Sequence, residues 1–321
     1  MSRRRPRDAG FVLVNALVLA AALAAAAALL LTRAETGRAR LQAGQQAAQL
    51  TLALDAFEAL AAARLSRGAA DSTAWTAPVE AAELAGGAVL SGEISDLQGR
   101  FNVNWLADPQ DSAAREAFDR LLKQLALPPQ AGAAIRSFLQ PGGPKNRAAW
   151  ARLDPPLDPV GGALLSTRQL QGIPGLPPRA YARLLPFIAA LPGDARLNVN
   201  TAPPQVLAAL LPQMPPAALN RLAARRRQQP FPSVPEFLAA AGLEQAEAQA
   251  GAQADQDGAG ANPEDGPASL LSGDRLTVSS DWFQAEAAVQ LGAMSGRRVT
   301  VLHRQGPRQQ AAVAWRLTTR P

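Results

Sequence analysis

An uncharged apolar run from Phe11 to Leu31, preceded by Arg3, Arg4, Arg5, Arg7 and Gly10, limits the possible folds of this chain more than any other feature. A run of about twenty such residues is long enough to cross a bilayer as a helix. Its leucines, valines and phenylalanine each favour insertion by about 0.3–0.6 kcal/mol near the helix centre, and Asn15 is the main polar interruption. By the positive-inside rule the leading arginines put the N-terminus in the cytoplasm, so the bulk of the chain is expected on the far side of the inner membrane. Arg33, Arg38 and Arg40 weaken that asymmetry, and Glu35 partly offsets them. In a secretory signal peptide the small-residue cleavage site follows the apolar stretch, which is lost on cleavage. Here the conspicuous small residue at a boundary, Gly10, precedes it. A cut between Gly10 and Phe11 would leave a chain that keeps its helix; an ordinary signal anchor is the alternative.

This arrangement resembles the leader of type IV pilins and pseudopilins. The resemblance implies that a prepilin peptidase cuts after Gly10 and N-methylates Phe11. Past the bilayer the helical pattern continues through Leu41, Leu50, Leu52, Leu54, Phe57, Leu60 and Leu65, with no proline between residue 32 and Pro78. One helix is therefore predicted from Phe11 to about Arg67, half membrane span and half packed stem, with Ser66-Arg67-Gly68 as its stop.

The rest of the 321 residues can bury a substantial core or divide into two domains. A net charge of +6 is weak evidence for nucleic acid. The absence of cysteine removes disulfides, thiolate metal sites and a cysteine nucleophile. His303 is the sole histidine, which removes most triads and multi-histidine metal sites. Its setting in Val299-Thr300-Val301-Leu302-His303-Arg304 reads as a strand, with the imidazole structural or exposed.

Ala88 to Ile94 reads as β, and the alternation of Phe101, Val103 and Trp105 suggests a further strand after a turn. From about Ala113 to Leu191 the signals turn helical. Phe118, Leu121, Leu122 and Leu125 form one face, Ile135, Phe138 and Leu139 follow a Pro128-Pro129 start, and Leu184, Leu185, Phe187 and Ile188 close a helix near Tyr181. Pro141-Gly142-Gly143-Pro144 interrupts them. Phe283, Ala285, Ala287, Val289 and Leu291 alternate with polar or small residues as a half-buried strand does, and Val299/Val301 and Val313/Trp315/Leu317 repeat the pattern. With the segment at 88–94 these make roughly four antiparallel strands to pack against the stem. Residues 245–269 lack large apolar side chains and are expected to form a mobile loop.

Leu197-Asn198-Val199-Asn200-Thr201-Ala202-Pro203 leads into a helix with Val206, Leu207, Leu210 and Leu211, a second helix spans about Ala217 to Arg227, and Ser233 with Glu236 forms a capping box for a third. The pattern resembles helix-hairpin-helix modules such as those of competence DNA receptors, and Arg225, Arg226 and Arg227 offer a basic cluster to phosphates. Phosphate-binding hairpins present backbone amides. This turn reads Pro212-Gln213-Met214-Pro215-Pro216, and proline has no amide hydrogen to donate. A structural or protein-binding use is favoured over nucleic acid. Asp255, Asp257, Glu264 and Asp265 do not keep EF-hand spacing, because Gly258 comes too early, and read as a solvated loop. Glu93 and Asp96 sit near a turn and read as surface groups. No paired constellation points to an enzyme.

Taken together, the Gly10-Phe11 leader, Asp96-Leu97-Gln98-Gly99-Arg100-Phe101-Asn102-Val103-Asn104, Leu197 to Pro203, and Ser279-Ser280-Asp281-Trp282-Phe283 resemble the type II secretion system protein K family of minor pseudopilins. The resemblance implies an α+β fold: a long N-terminal helix on an antiparallel sheet, interrupted by a large all-helical insert with a helix-hairpin-helix-like part. It divides the chain into a leader (1–10), a transmembrane helix (11–31), stem and first strands (32–105), insert (106–245), flexible loop (246–270) and last strands (271–321). Most pilins carry a glutamate fifth after the cut, where it neutralises a neighbour's N-terminal amine; Asn15 stands there instead. A subunit at the tip has no subunit above it to neutralise. By this resemblance the expected role is to initiate and cap a pseudopilus with minor pseudopilins I and J. Some family members bind calcium, with no ligands assignable here. The runner-up reading is a membrane-anchored helix-hairpin-helix DNA receptor.

Overall fold

The computed structural model describes residues 7–67, 75–212, 214–242, 275–305 and 310–319. Helix α1 runs unbroken over Arg7–Arg67. Its first half is bare: every side chain from Phe11 to Leu31 is exposed, Phe11 at 69%. Its second half buries Leu50, Leu54, Phe57, Ala61 and Leu65, a three-to-four-residue spacing that places them on one helix face. The acidic loop expected at 245–269 lies outside the described residues, as does Gly68 of the expected helix stop.

That face packs on a five-stranded antiparallel sheet of β1 (Val79–Glu83), β2 (Val89–Asp96), β7 (Trp282–Leu291), β8 (Met294–Gln305) and β9 (Gln310–Thr319), ordered β1-β2-β7-β8-β9. Phe283, Ala285, Ala287, Val289 and Leu291 all point into the helix–sheet core, as their alternation required. Small side chains on β7 let α1 lie close. Gly92 on β2 goes further, since a Cβ there would collide with the Phe57 ring. Strand β1 was not foreseen: its sequence, Val-Glu-Ala-Ala-Glu, carries little β propensity. The turn at Gly86 and Gly87, with φ of +89° and +79°, folds it back onto β2. Polar ties join helix to sheet beside the apolar core. Arg298 on β8, with only 7% of its side chain exposed, pairs with Asp55. Thr300 Oγ1 donates to Glu58 Oε2 at 2.8 Å, and Arg316 Nη1 donates to Glu58 Oε1 at 2.9 Å.

The chain leaves the sheet after β2 and returns at β7, and the residues between build a second core around Phe101, Phe118, Leu121, Ile135, Leu184, Val199 and Val206. Its helices are α2 (Ser112–Gln124), α3 (Pro129–Leu139), α4 (Pro178–Leu184), α5 (Pro204–Leu210), α6 (Pro216–Gln228) and α7 (Val234–Ala241). Four of them, α3 to α6, open on a Pro-Pro pair, the first proline as N-cap residue and the second inside the first turn. There the missing amide hydrogen costs nothing and the fixed φ suits the helix.

This insert is not purely helical. Two-residue parallel pairs join β3 (Phe101–Asn102) to β4 (Ile188–Ala189) and β5 (Leu197–Asn198) to β6 (Leu276–Thr277). The strand expected through Trp105 stops at Asn102, whose Oδ1 accepts the amide of Asn104 and turns Val103–Ala107 into a 3-10 helix. The helix expected to include Ile188 ends at Leu184; Leu185–Phe187 form a 3-10 turn around Pro186, and Ile188 enters β4. At α7, Ser233 Oγ accepts the Glu236 amide at 3.3 Å, the serine half of the expected box. A complete capping box occurs at Ser166 and Gln169, where none was foreseen.

Candidate functional site: the exposed helix and a polar junction

The residues singled out at the N-terminus lie in the exposed half of α1. Gly10 and Phe11 are adjacent within the helix, and the Asn15 side chain is exposed on it. Among the described residues α1 is the one helix long and apolar enough to cross a membrane. Beyond the expected span, Leu41 and Leu52 remain exposed, Leu52 at 67%. Leu52 faces away from the sheet that buries Leu50 and Leu54, and Leu41 lies on the part of α1 where every side chain is exposed.

The three internal sequence signatures converge where the insert joins the sheet. Gln98 lies at the centre: its Oε1 accepts the amides of Asp281 at 2.5 Å and Trp282 at 3.1 Å, and its Nε2 donates to Arg196 O at 2.9 Å. Its own carbonyl accepts the Asn198 amide at 2.8 Å. Asp96 sits beside it as an acceptor for Ser280 Oγ at 2.6 Å, Thr201 Oγ1, Asn198 Nδ2 at 3.5 Å and the Gln98 amide at 2.7 Å. Asp96 is thus not the surface group its turn setting suggested. Burial pushes its carboxyl above the ordinary range, while the bonds from Ser280, Thr201 and Gln98 and the charge of Arg100 pull the other way. Gly99 is required by contact: a Cβ would come within 2.7 Å of Thr201 Oγ1 and 2.9 Å of its backbone. A small apolar cluster of Leu97, Ala189, Leu191 and Val301, with Trp282 and Trp315 against it, seals the joint.

The two Asn-Val-Asn signatures do the same work in each half of the insert. Asn104 Nδ2 donates to Leu164 O and Leu191 O, and its Oδ1 accepts the Leu164 amide. Asn200 Nδ2 donates to Phe231 O and Val278 O, and its Oδ1 accepts the Phe231 amide. Each side chain satisfies three backbone groups that would otherwise be stranded, an arrangement strongly favoured in a low-dielectric interior. The sequence showed these motifs but not their role, because a side-chain amide can bridge segments whose pairing only the fold reveals.

The arginines of the hairpin are engaged within the insert. Arg226 Nη1 donates to Val199 O at 2.7 Å, Arg227 Nε donates to Ala223 O at 3.2 Å, and Arg225 lies 4.9 Å over the Phe231 ring. Burial, followed by the charge of Arg227, lowers the pKa of the Arg226 guanidinium. His303, on β8, stacks on Trp282 with centroids 4.0 Å apart. Glu93 is exposed. Among the described residues no group of three or more Asp, Glu, His or Cys side chains could hold a metal ion; Asp255, Asp257, Glu264 and Asp265 lie outside them.

Comparison with known proteins gives this architecture relatives. Two family models described as "Type II secretion system (T2SS), protein K" match residues 99–193 and 197–257. Type II secretion system protein K of Aeromonas hydrophila is 31% identical over 38% of this chain and 44% of its own length. The Pseudomonas aeruginosa protein of that name is 35% identical over 48% of this chain and 50% of its own. For these two relatives the match spans about half of their length or less. The Pectobacterium carotovorum protein is 25% identical over 95% of both chains. Among solved structures, a chain of the GspK-GspI-GspJ complex from enterotoxigenic Escherichia coli superposes with a TM-score of 0.66 and 19% identity, over 87% of this chain and 99% of that one. That likeness establishes the fold, a long helix on an antiparallel sheet broken by a helical insert. By both family models, the named relatives and the fold, this chain is similar to type II secretion system protein K.

Proposed function

We propose that this protein is the minor pseudopilin at the tip of a type II secretion pseudopilus, where it initiates and caps the fibre for protein export. It spans the inner membrane once through the first half of α1, N-terminus cytoplasmic, and is cut after Gly10 and methylated on Phe11 by a prepilin peptidase. The observation that carries the reading is the shape of α1: its bare apolar half continues without a break into a stem locked on a sheet. That is a subunit built to join a bundle of like helices. The insert supports the capping position, because a body with its own core between β2 and β7 gives the subunit bulk that a regular shaft has no room to repeat. The E. coli neighbour is solved as a complex of GspK, GspI and GspJ, which supports assembly of this chain with minor pseudopilins I and J. Asn15 suits the tip, because an unpaired carboxylate buried in the bundle would be costly there. The proposed units are 1–10, 11–31, 32–105, 106–245, 246–270 and 271–321, and no catalytic role is assigned.

The N-terminal mass tests the processing step. Mature protein from cells with an active peptidase should begin with N-methylated Phe11, and replacing Gly10 with leucine should leave the leader attached. A mature chain beginning at Met1, or after Leu31, would overturn the pseudopilin reading.

A further inference from the structure

On the insert, a solvent-shielded arginine nitrogen lacks an acceptor. Arg115 lies on α2 and lines a cleft of about 480 Å3 with Asp119, Arg136, Ser137, Gln140 and Pro109. Its Nε is shielded from solvent and makes no hydrogen bond. The carboxylates close to it in sequence are already taken. Asp111 is engaged by Arg275 Nη2 at 2.6 Å, Glu116 by Arg120 Nη1 at 3.3 Å, and Asp119 by Arg136 Nη1 at 2.5 Å. Arg115 and Arg136 against Asp119 leave the cleft with a surplus of positive charge.

A donor nitrogen shielded from water without an acceptor is costly, and a carboxylate is the best partner for a half-buried guanidinium because two parallel N–H donors match two oxygens. We propose that this cleft receives a carboxylate carried on an acidic segment of a second polypeptide, held by Arg115 with Arg136 beside it. The lining argues for a protein-borne group over a free small molecule. Small-molecule pockets are mostly apolar and bury most of their ligand. This cleft presents Arg115, Asp119, Arg136, Ser137 and Gln140 and suits one side chain presented from a surface. The net charge of +6 favours acidic partners in the encounter. The inference does not depend on the position of the protein in a fibre.

The test is a titration of the full-length protein in detergent, reading the arginine Nε–Hε resonances by NMR. The probes are the capped peptide Gly-Glu-Gly-Asp-Gly, its Gly-Gln-Gly-Asn-Gly counterpart, and glutarate. The acidic peptide should shift the Arg115 resonance saturably and the amide peptide should not. Arg115→Gln should weaken binding at least tenfold, whereas Arg179→Gln, on an exposed turn of α4, should leave it unchanged. Arg115→Lys, which keeps the charge and must melt with the parent, should bind with intermediate strength. Equal binding of both peptides, or unchanged affinity in Arg115→Gln, would overturn the site. Glutarate binding as tightly as the acidic peptide would overturn the protein-borne source. So would peptide binding that appears only after Asp255, Asp257, Glu264 and Asp265 are changed to amides, because the chain would then occupy its own cleft.

Discussion

Asp96 shows how much a single side chain can hold at the joint between sheet and insert. Every bond it makes is donated to it, by Ser280, Thr201, Asn198 and the Gln98 amide, so an alanine leaves several partly buried donors without an acceptor. Asp96→Ala should destabilise the fold by about 3 kcal/mol, read as a shifted denaturant midpoint with unchanged slope; a midpoint equal to the parent's would remove Asp96 from the joint. His303 gives the pH test, because it is the sole histidine and its resonance is unambiguous. Desolvation holds its pKa below the ordinary 6.5, and the charges of Asp281 and Asp194 only partly oppose this. Above the unfolded value the ring is neutral in both states and contributes nothing; below the folded value it is charged in both, and the fold bears the full penalty. Stability should therefore fall as pH drops from 6.5 through the folded pKa, and His303→Phe, which preserves the stack on Trp282, should flatten that slope. An NMR titration midpoint at or above 6.5 would contradict it. The sequence showed the residues of the joint but not their connections: Asp96 meets Ser280 across 184 positions, a separation no local pattern encodes.

The element with most consequence is α1. Its stem was legible because leucine and phenylalanine spacing marks a helix face, but the pattern could not say which apolar residues meet the sheet and which are left for partners. Leu50, Leu54 and Phe57 turn out to be sheet-facing, and Leu41 and Leu52 exposed. Phe57→Ala should cost about 3–5 kcal/mol, because it empties the space above Gly92. Leu52→Asp should change stability by less than about 0.5 kcal/mol, as surface substitutions do. It should nevertheless stop fibre initiation, because assembly would bury a charge without a partner. Thermal melts and a secretion assay on both variants separate these roles. A Leu52→Asp protein that is stable and secretes normally would mean that this face meets no other helix. Elsewhere the legible elements were those with strong alternation or a proline start, such as β7 and α3. Of the two-residue strands, β3 was legible as the start of a longer strand, but β4 to β6 were invisible, since their pairing depends on contacts between distant segments rather than on local preference.

At the scale of the whole molecule, the proposed position in the fibre rests on two cores in one chain: the helix–sheet body would join the bundle and the insert would add a mass that ends it. Asn15→Glu should not improve secretion, since at a tip no neighbouring amine stands above to pair with the new carboxylate; a marked gain would place the subunit inside the shaft. The most direct measurement is the position and copy number of this protein in purified pseudopili. The chain has no cysteine, so one introduced at Leu52 can be crosslinked without background. Crosslinks to pseudopilin I or J, with a few copies per fibre confined to one end, are the predicted result. Recovery along the shaft at the abundance of the major subunit would contradict the account.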